Sequence, residues 1–129
     1  MARVVAFVPD LLFGSNVVGA LRAGGHEPVL VGNPETLRED LVGAQALVVD
    51  LTSDAAERIE QVRIRRPAGV KTLAFYSHVE TDVRARAEQA GFDVVVPRSR
   101  MAREGPQLVD RLTGAAYESR PEGEYEEEQ

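Results

Sequence analysis

Five short runs of apolar, β-prone residues recur along this chain: Val4 to Val8, Pro28 to Val31, Ala46 to Val49, Thr72 to Phe75 and Val94 to Val96. Each gap between them is about one helix and two short loops long. Several runs are continuous rather than alternating, as expected of strands covered on both faces. That rhythm predicts βαβ units and a five-stranded parallel sheet. The punctuation agrees with it. Asn33-Pro34-Glu35 reads as an N-cap, an N1 proline and a first-turn acid, and Asp54 with Glu57 has the spacing of a capping box. Gly24-Gly25 and Gly91 follow helical patterns and precede strands, where a left-handed C-cap without a Cβ is wanted.

The helical segments are amphipathic. Phe13, Val17, Ala20 and Leu21 share a face of the first, and Leu108, Val109 and Leu112 share a face of the last, which leaves Asp110 and Arg111 toward water. Gly14 and Gly19 within the first helix each cost ~1 kcal/mol relative to Ala. Close packing against the sheet, or a ligand near Gly14, would account for them.

Lys+Arg 15 against Asp+Glu 21 gives a net charge of −6 over 129 residues. The segment 117–129 holds six Glu against Arg120 and accounts for −5 of it, so the body is nearly balanced at −1. One folded domain over residues 1–116 and an acidic, disordered tail over 117–129 follow. A balanced body lacks the positive field that non-specific nucleic-acid binding needs. With no Cys, disulfides, thiolate nucleophiles and Cys-ligated metals are excluded. No apolar run approaches the ~18 residues of a membrane span, and the expected location is the cytoplasm. His26 and His78 form no metal-binding pattern and read as exposed loop or helix-start residues. Arg58, Arg63, Arg65 and Arg66 read as a solvated helix face interrupted by Glu57 and Glu60.

In an open parallel sheet, reactive groups collect beyond the carboxyl ends of the strands. Those positions hold Pro9-Asp10, Gly32-Asn33, Asp50, Ser77-His78 and Pro97-Arg98-Ser99. Acids after strands one and three, a hydroxyl after four and a cation after five form an ordered set. Carried by the segments FVPD, VVDLTS, AFYSH and GFDVVVPRS, the body from Arg3 to about Ala115 resembles a response-regulator receiver domain.

The resemblance implies a flavodoxin-like doubly wound sheet of order 2-1-3-4-5 with helices on both faces. It also implies a phosphate-accepting Asp50, with Ser77 and Arg98 holding phosphoryl oxygens, and Mg²⁺ bound by Asp10, Asp50 and the Thr52 carbonyl. A carboxylate attacking a phosphoryl donor while a divalent ion, a hydroxyl and a cation neutralise its oxygens is the logic of that set. Three departures stand out. Pro9 replaces one acid of the usual pair, Arg98 replaces a lysine, and Val95 stands where a switching aromatic belongs. Weak Mg²⁺ binding and weak or absent phosphorylation are therefore expected. The chain reads as an atypical, stand-alone receiver-like module that signals through another protein, such as a sensor kinase, or through a homodimer. The surface for this comprises Arg84, Arg86, Glu88, Arg103 and Arg111.

Each of these residues also has a structural reading. Asp10 serves equally well as the N-cap of the first helix, and Ser77 with Glu80 as a capping box of the fourth. Asp50 follows Ala-Leu-Val-Val at a buried strand end, where an unpaired charge is costly. A structural ion pair with Arg98 is favoured there over phosphotransfer. The alternative class is a Rossmann-like nucleotide- or dinucleotide-binding protein or small enzyme, suggested by Gly14 to Gly19. Its phosphate turn should follow the first strand directly, where Asp10 would repel a pyrophosphate.

Overall fold

The computed structural model describes residues 2–114. The expected tail, 117–129, lies outside the described residues. Strands β1 (Arg3–Phe7), β2 (Glu27–Val31), β3 (Ala46–Asp50), β4 (Lys71–Tyr76) and β5 (Val94–Pro97) alternate with helices α1 (Leu11–Ala23), α2 (Leu37–Asp40), α3 (Ala55–Arg65), α4 (Thr81–Gln89) and α5 (Arg98–Thr113). All strand pairs are parallel and the sheet order is β2-β1-β3-β4-β5. The expected fold is therefore present, each strand lying within a residue or two of its apolar run. No helix among the described residues is long and apolar enough to cross a membrane.

The two-residue period of the strands sorts the core into two layers. Val4, Ala6, Val8, Val48, Leu73 and Phe75 pack with Val17 and Leu21 of α1 and with Met101, Leu108 and Val109 of α5. Val5, Phe7, Leu47, Val49 and Ala74 pack on the opposite face with Leu37, Ile59, Val62, Val83 and Ala87 from α2, α3 and α4. Burial on both faces is why β3 reads as an uninterrupted apolar run ending in a polar residue.

Several local expectations change. Asn33 Oδ1 accepts from the Glu35 N–H at 3.0 Å, a turn that delays α2 to Leu37 and leaves it four residues long. Asp54 precedes α3 in the left-handed region (φ 51°, ψ 42°) and makes no side-chain cap, so the capping box with Glu57 does not form. Ser77 accepts the Glu80 N–H through its backbone carbonyl at 2.8 Å, and α4 starts only at Thr81. Of the paired glycines, Gly25 takes the positive φ of 92°, while Gly24 stays at −84°.

Gly24 answers to packing instead. A Cβ on it would lie 2.6 Å from the Pro106 Cβ, where the end of α1 meets α5. Gly14 likewise lets α1 approach the sheet, since its Cβ would stand 2.8 Å from a Leu30 methyl. Gly19 has open space around it, so the expectation of close packing fails there.

His26 is the largest departure. It is buried at 4 % exposure, and its Nδ1 accepts from the Ala2 N–H at 3.0 Å. Its Nε2 lies 2.8 Å from Asp110 Oδ1, close but outside the angular range of a hydrogen bond. The ring thus ties the start of the sheet to α5, and Asp110, with its side chain 32 % exposed, lies both beside the ring and at the surface.

Candidate functional site

The carboxyl ends of β1, β3, β4 and β5 deliver all the expected site residues to one end of the sheet, but not into one contact set. Asp10 is the N-cap of α1. Its backbone is extended (φ −70°, ψ 113°) and its Oδ1 accepts the Phe13 N–H at 3.0 Å. Pro9, just before it, is exposed and has no side-chain donor atom for a metal.

Asp50 is 3 % exposed at the end of β3. Its Oδ1 accepts two hydrogen bonds from Thr52, one from the backbone N–H at 2.8 Å and one from the hydroxyl at 2.5 Å. An Asp side chain bonding the backbone two residues on is an Asx-turn, and it gives one oxygen of the carboxylate, Oδ1, two donors. Its own carbonyl is held as well. Arg58 Nη1 donates to the Asp50 carbonyl at 3.0 Å and to the Ser53 carbonyl at 3.1 Å.

Arg58 is the site residue that the charge pattern conceals. It is buried at 8 % exposure beside Ile59 and Val62, with its guanidinium 5.6 Å from the centre of the Phe7 ring. The reading of this helix face as solvated is corrected for Arg58, which stitches α3 to the loop after β3. Its place on the apolar face, one residue before Ile59 and four before Val62, is the signal that could have found it.

The expected Asp50–Arg98 ion pair does not form. Arg98 opens α5 and lays its guanidinium over the Phe13 ring, 4.1 Å from the centroid. Phe13 in turn packs against Phe75, centroid to centroid 5.1 Å. An exposed guanidinium on an aromatic face keeps its hydration and gains a cation–π contact, whereas moving beside Asp50 would mean desolvating it.

Ser77, His78, Thr52, Arg98 and Ser99 line an open cleft of about 510 Å³, with Phe13 and Ala102 as its apolar wall. No Asp or Glu is among the lining residues, so the cleft carries one fixed cation and no fixed anion. Of the residues expected at the site, Ser77, Arg98 and Thr52 share this cleft; Asp10 and Asp50 stand outside its lining. Val95, in the position of the expected switching aromatic, is half-buried against the core layer of α3 and α4.

A divalent ion fits this donor set poorly. Mg²⁺ asks for an octahedron of oxygens, usually anchored on one or two carboxylates. Here Pro9 supplies no side-chain oxygen, Asp10 caps α1, and one oxygen of Asp50 is committed to Thr52. Among the described residues no three His, Cys, Asp or Glu side chains gather as a metal cluster.

No protein-family model matches the sequence, and no curated protein matches it. Solved structures do. The receiver domain of the Francisella response regulator 1452 superposes with a TM-score of 0.74 at 12 % identity, over 90 % of this chain and 99 % of that one. A response regulator from Thermotoga maritima gives 0.73 at 15 % identity, over 88 % and 98 %. The receiver domain of the sensor histidine kinase PA1611 from Pseudomonas aeruginosa, which holds a magnesium ion in its active-site cleft, gives 0.70 at 16 % identity, over 88 % and 98 %. The chain has the flavodoxin-like fold that these receiver domains share.

Proposed function

We propose that this receiver-like domain is a signalling module that works by binding another protein, without needing phosphorylation at Asp50. The observation that carries this reading is the closure of Asp50. A nucleophilic carboxylate must reach a phosphoryl donor, yet this one is 3 % exposed and spends an oxygen on two Thr52 donors. The poor Mg²⁺ donor set and the stacking of Arg98 on Phe13 support the same conclusion, because both remove charge neutralisation from a transferring phosphoryl group.

The proposed binding surface is the β5 edge with its flanking helices. Arg84, Arg86, Glu88, Arg103 and Arg111 are exposed there. A cytoplasmic partner such as a sensor kinase, or a second copy of the chain, is the proposed occupant. Asp10 at the N-terminus of α1 speaks against the dinucleotide alternative, since its carboxylate takes the place and the N–H group a pyrophosphate would use.

Incubation with Mg²⁺ and a small acyl-phosphate donor, followed by intact-mass measurement, tests the reading. Little or no added phosphoryl mass is expected, and self-association should be the same before and after. Stoichiometric labelling that vanishes in Asp50→Asn, joined to a tenfold change in association, would establish a working phospho-switch and overturn it.

A further inference from the structure

The two ends of this domain differ in charge. Acids follow the carboxyl ends of the strands and open the helices there, at Asp10, Asp50, Asp54 and Glu57. The amino ends of the strands, where α1, α3 and α5 finish, gather Arg3, Arg22, Arg65, Arg66, Lys71 and Arg111, all exposed or half-buried. None of these six forms a salt bridge among the described residues, whereas Arg84, Arg86, Arg100 and Arg103 each meet an acid of their own helix. A cation at the end of a helix complements its carbonyls, which accounts for Arg22, Arg65, Arg66 and Arg111. Arg3 and Lys71 begin strands, whose sheet has little net dipole to answer.

Backbone contacts hold these groups in one place. Gln45 donates its N–H to the Arg3 carbonyl at 2.8 Å and accepts the Lys71 N–H at 3.1 Å, so Arg3 and Lys71 stand in one row, two strand spacings or ~10 Å apart. Arg66 Nη1 reaches the Thr72 hydroxyl at 3.2 Å, next to Lys71. The carboxylates beside them are Glu27, opposite Arg3 in the register, Asp93, which accepts from Thr72, Asp110 beside His26, and Glu88, paired with Arg84. With the Arg84–Glu88 pair set aside, six cations face three carboxylates, and the surface is positive.

The chain leaves the fold at this same end. α5 departs from helical geometry at Glu104 (φ −127°, ψ 17°), just before Pro106, then resumes and closes on Gly114 at φ 78°. Asp110, 2.8 Å from His26, places its last turns near Ala2 at the start of β1. From 117 to 129 the sequence holds six Glu against Arg120, a charge of −5. The residues beyond Gly114 can span at most ~50 Å, several times the length of the Arg3 to Lys71 row. A short tether also keeps one partner at an effective concentration of about millimolar beside the other.

We propose that the acidic segment 117–129 docks on the amino-end face of its own chain, its glutamates against Arg3, Lys71 and Arg66. Charge holds it there, and while docked it shields Arg111, which the proposed partner surface shares.

The chain has no Cys, so a nitroxide on Gly123→Cys in the full chain gives a single paramagnetic probe, read by NMR as broadening of backbone amides. Gln45 and Lys71 should broaden strongly, and Asp10 and Ser77 at the other end of the sheet far less. Raising the salt from about 0.01 M to about 1 M cuts the screening length from ~30 Å to ~3 Å, so the broadening should fall at least about fivefold. Arg3→Gln combined with Lys71→Gln should at least halve it at low salt. Glu126→Gln, Glu127→Gln and Glu128→Gln together should do the same while leaving the described fold untouched. Broadening that is equal at both ends, indifferent to salt, or unchanged in the folded variants overturns the proposal. Equal broadening of an isotope-labelled, nitroxide-free chain mixed with a nitroxide-bearing one puts the segment on a second copy and overturns it too. None of these outcomes depends on labelling at Asp50.

Discussion

Replacing His26 with Ala removes a polar link between the start of the sheet and α5. The Ala2 N–H that His26 accepts from is completely buried, so the variant strands a donor where water does not reach. Such a group costs ~1–3 kcal/mol. The ring also leaves a void; full aromatic truncations in cores cost ~3–5 kcal/mol, and an imidazole is smaller, so ~2 kcal/mol is a fair share. Together the loss is ~3–5 kcal/mol, a large part of the ~5–15 kcal/mol that holds a domain folded. At a urea slope of ~1–3 kcal/mol per molar, the unfolding midpoint should fall by roughly 1–5 M with little change in slope. Asp110→Asn keeps an acceptor beside Nε2 and should cost far less, about 1 kcal/mol. A His26→Ala loss below ~1 kcal/mol would refute the reasoning, because neither the stranded donor nor the void could then be real.

Gly19→Ala should stabilise the domain by about 1 kcal/mol, since helix propensity improves and nothing lies within 4 Å of the new methyl. Gly24→Ala should instead destabilise it by ~1–3 kcal/mol against the rigid Pro106 ring; equal effects in thermal unfolding would contradict the packing described. Arg58→Met keeps the stem but leaves the Asp50 and Ser53 carbonyls without their donor, for a loss of ~1–3 kcal/mol in urea unfolding. Glu104 should titrate below the usual glutamate range, because a hydrogen bond and charge from Arg100, helped by Arg103, favour its ionised form. The stabilisation is present above the ordinary glutamate pKa and is lost as pH falls through the lowered one. Arg100→Gln should move the midpoint up in an NMR titration, and an unmoved midpoint would rule out that cause.

The strands were legible because parallel strands buried on both faces leave continuous apolar runs, and Ala46 to Val49 is such a run. Strand-end positions followed from it, so Asp10, Asp50, Ser77 and Arg98 were placed at one end of the sheet correctly. Their contacts were not legible. Thr52, only two residues along, outcompeted Arg98 for Asp50, and Phe13 offered Arg98 a face that no spacing rule ranks against a carboxylate. His26 was hidden for a different reason. Its partners are Ala2 and Asp110, both distant in sequence, and a polar residue's burial depends on such partners more than on its neighbours. The capping motifs at Asn33 and Asp54 failed because local side-chain bonds are marginal, about 1 kcal/mol each, and the connections that the sheet imposes decide the backbone.

The break in α5 divides one element into two mechanical parts. Pro106 has no N–H, so the Ala102 carbonyl loses its partner one turn on and the helical ladder is interrupted between them. Beyond the break, Leu108 and Val109 are buried, and Gly24 and His26, in the turn between α1 and β2, pack against Pro106 and Asp110. Before it, Met101 is the main side chain anchored in the core. Opening free energies within this single helix should therefore differ, amides from Ser99 to Gly105 exchanging with solvent hydrogen well ahead of those from Leu108 to Leu112. The half expected to open first is the one that follows β5 directly, so a partner held at the proposed β5 surface would work against a local spring rather than against the stability of the whole domain.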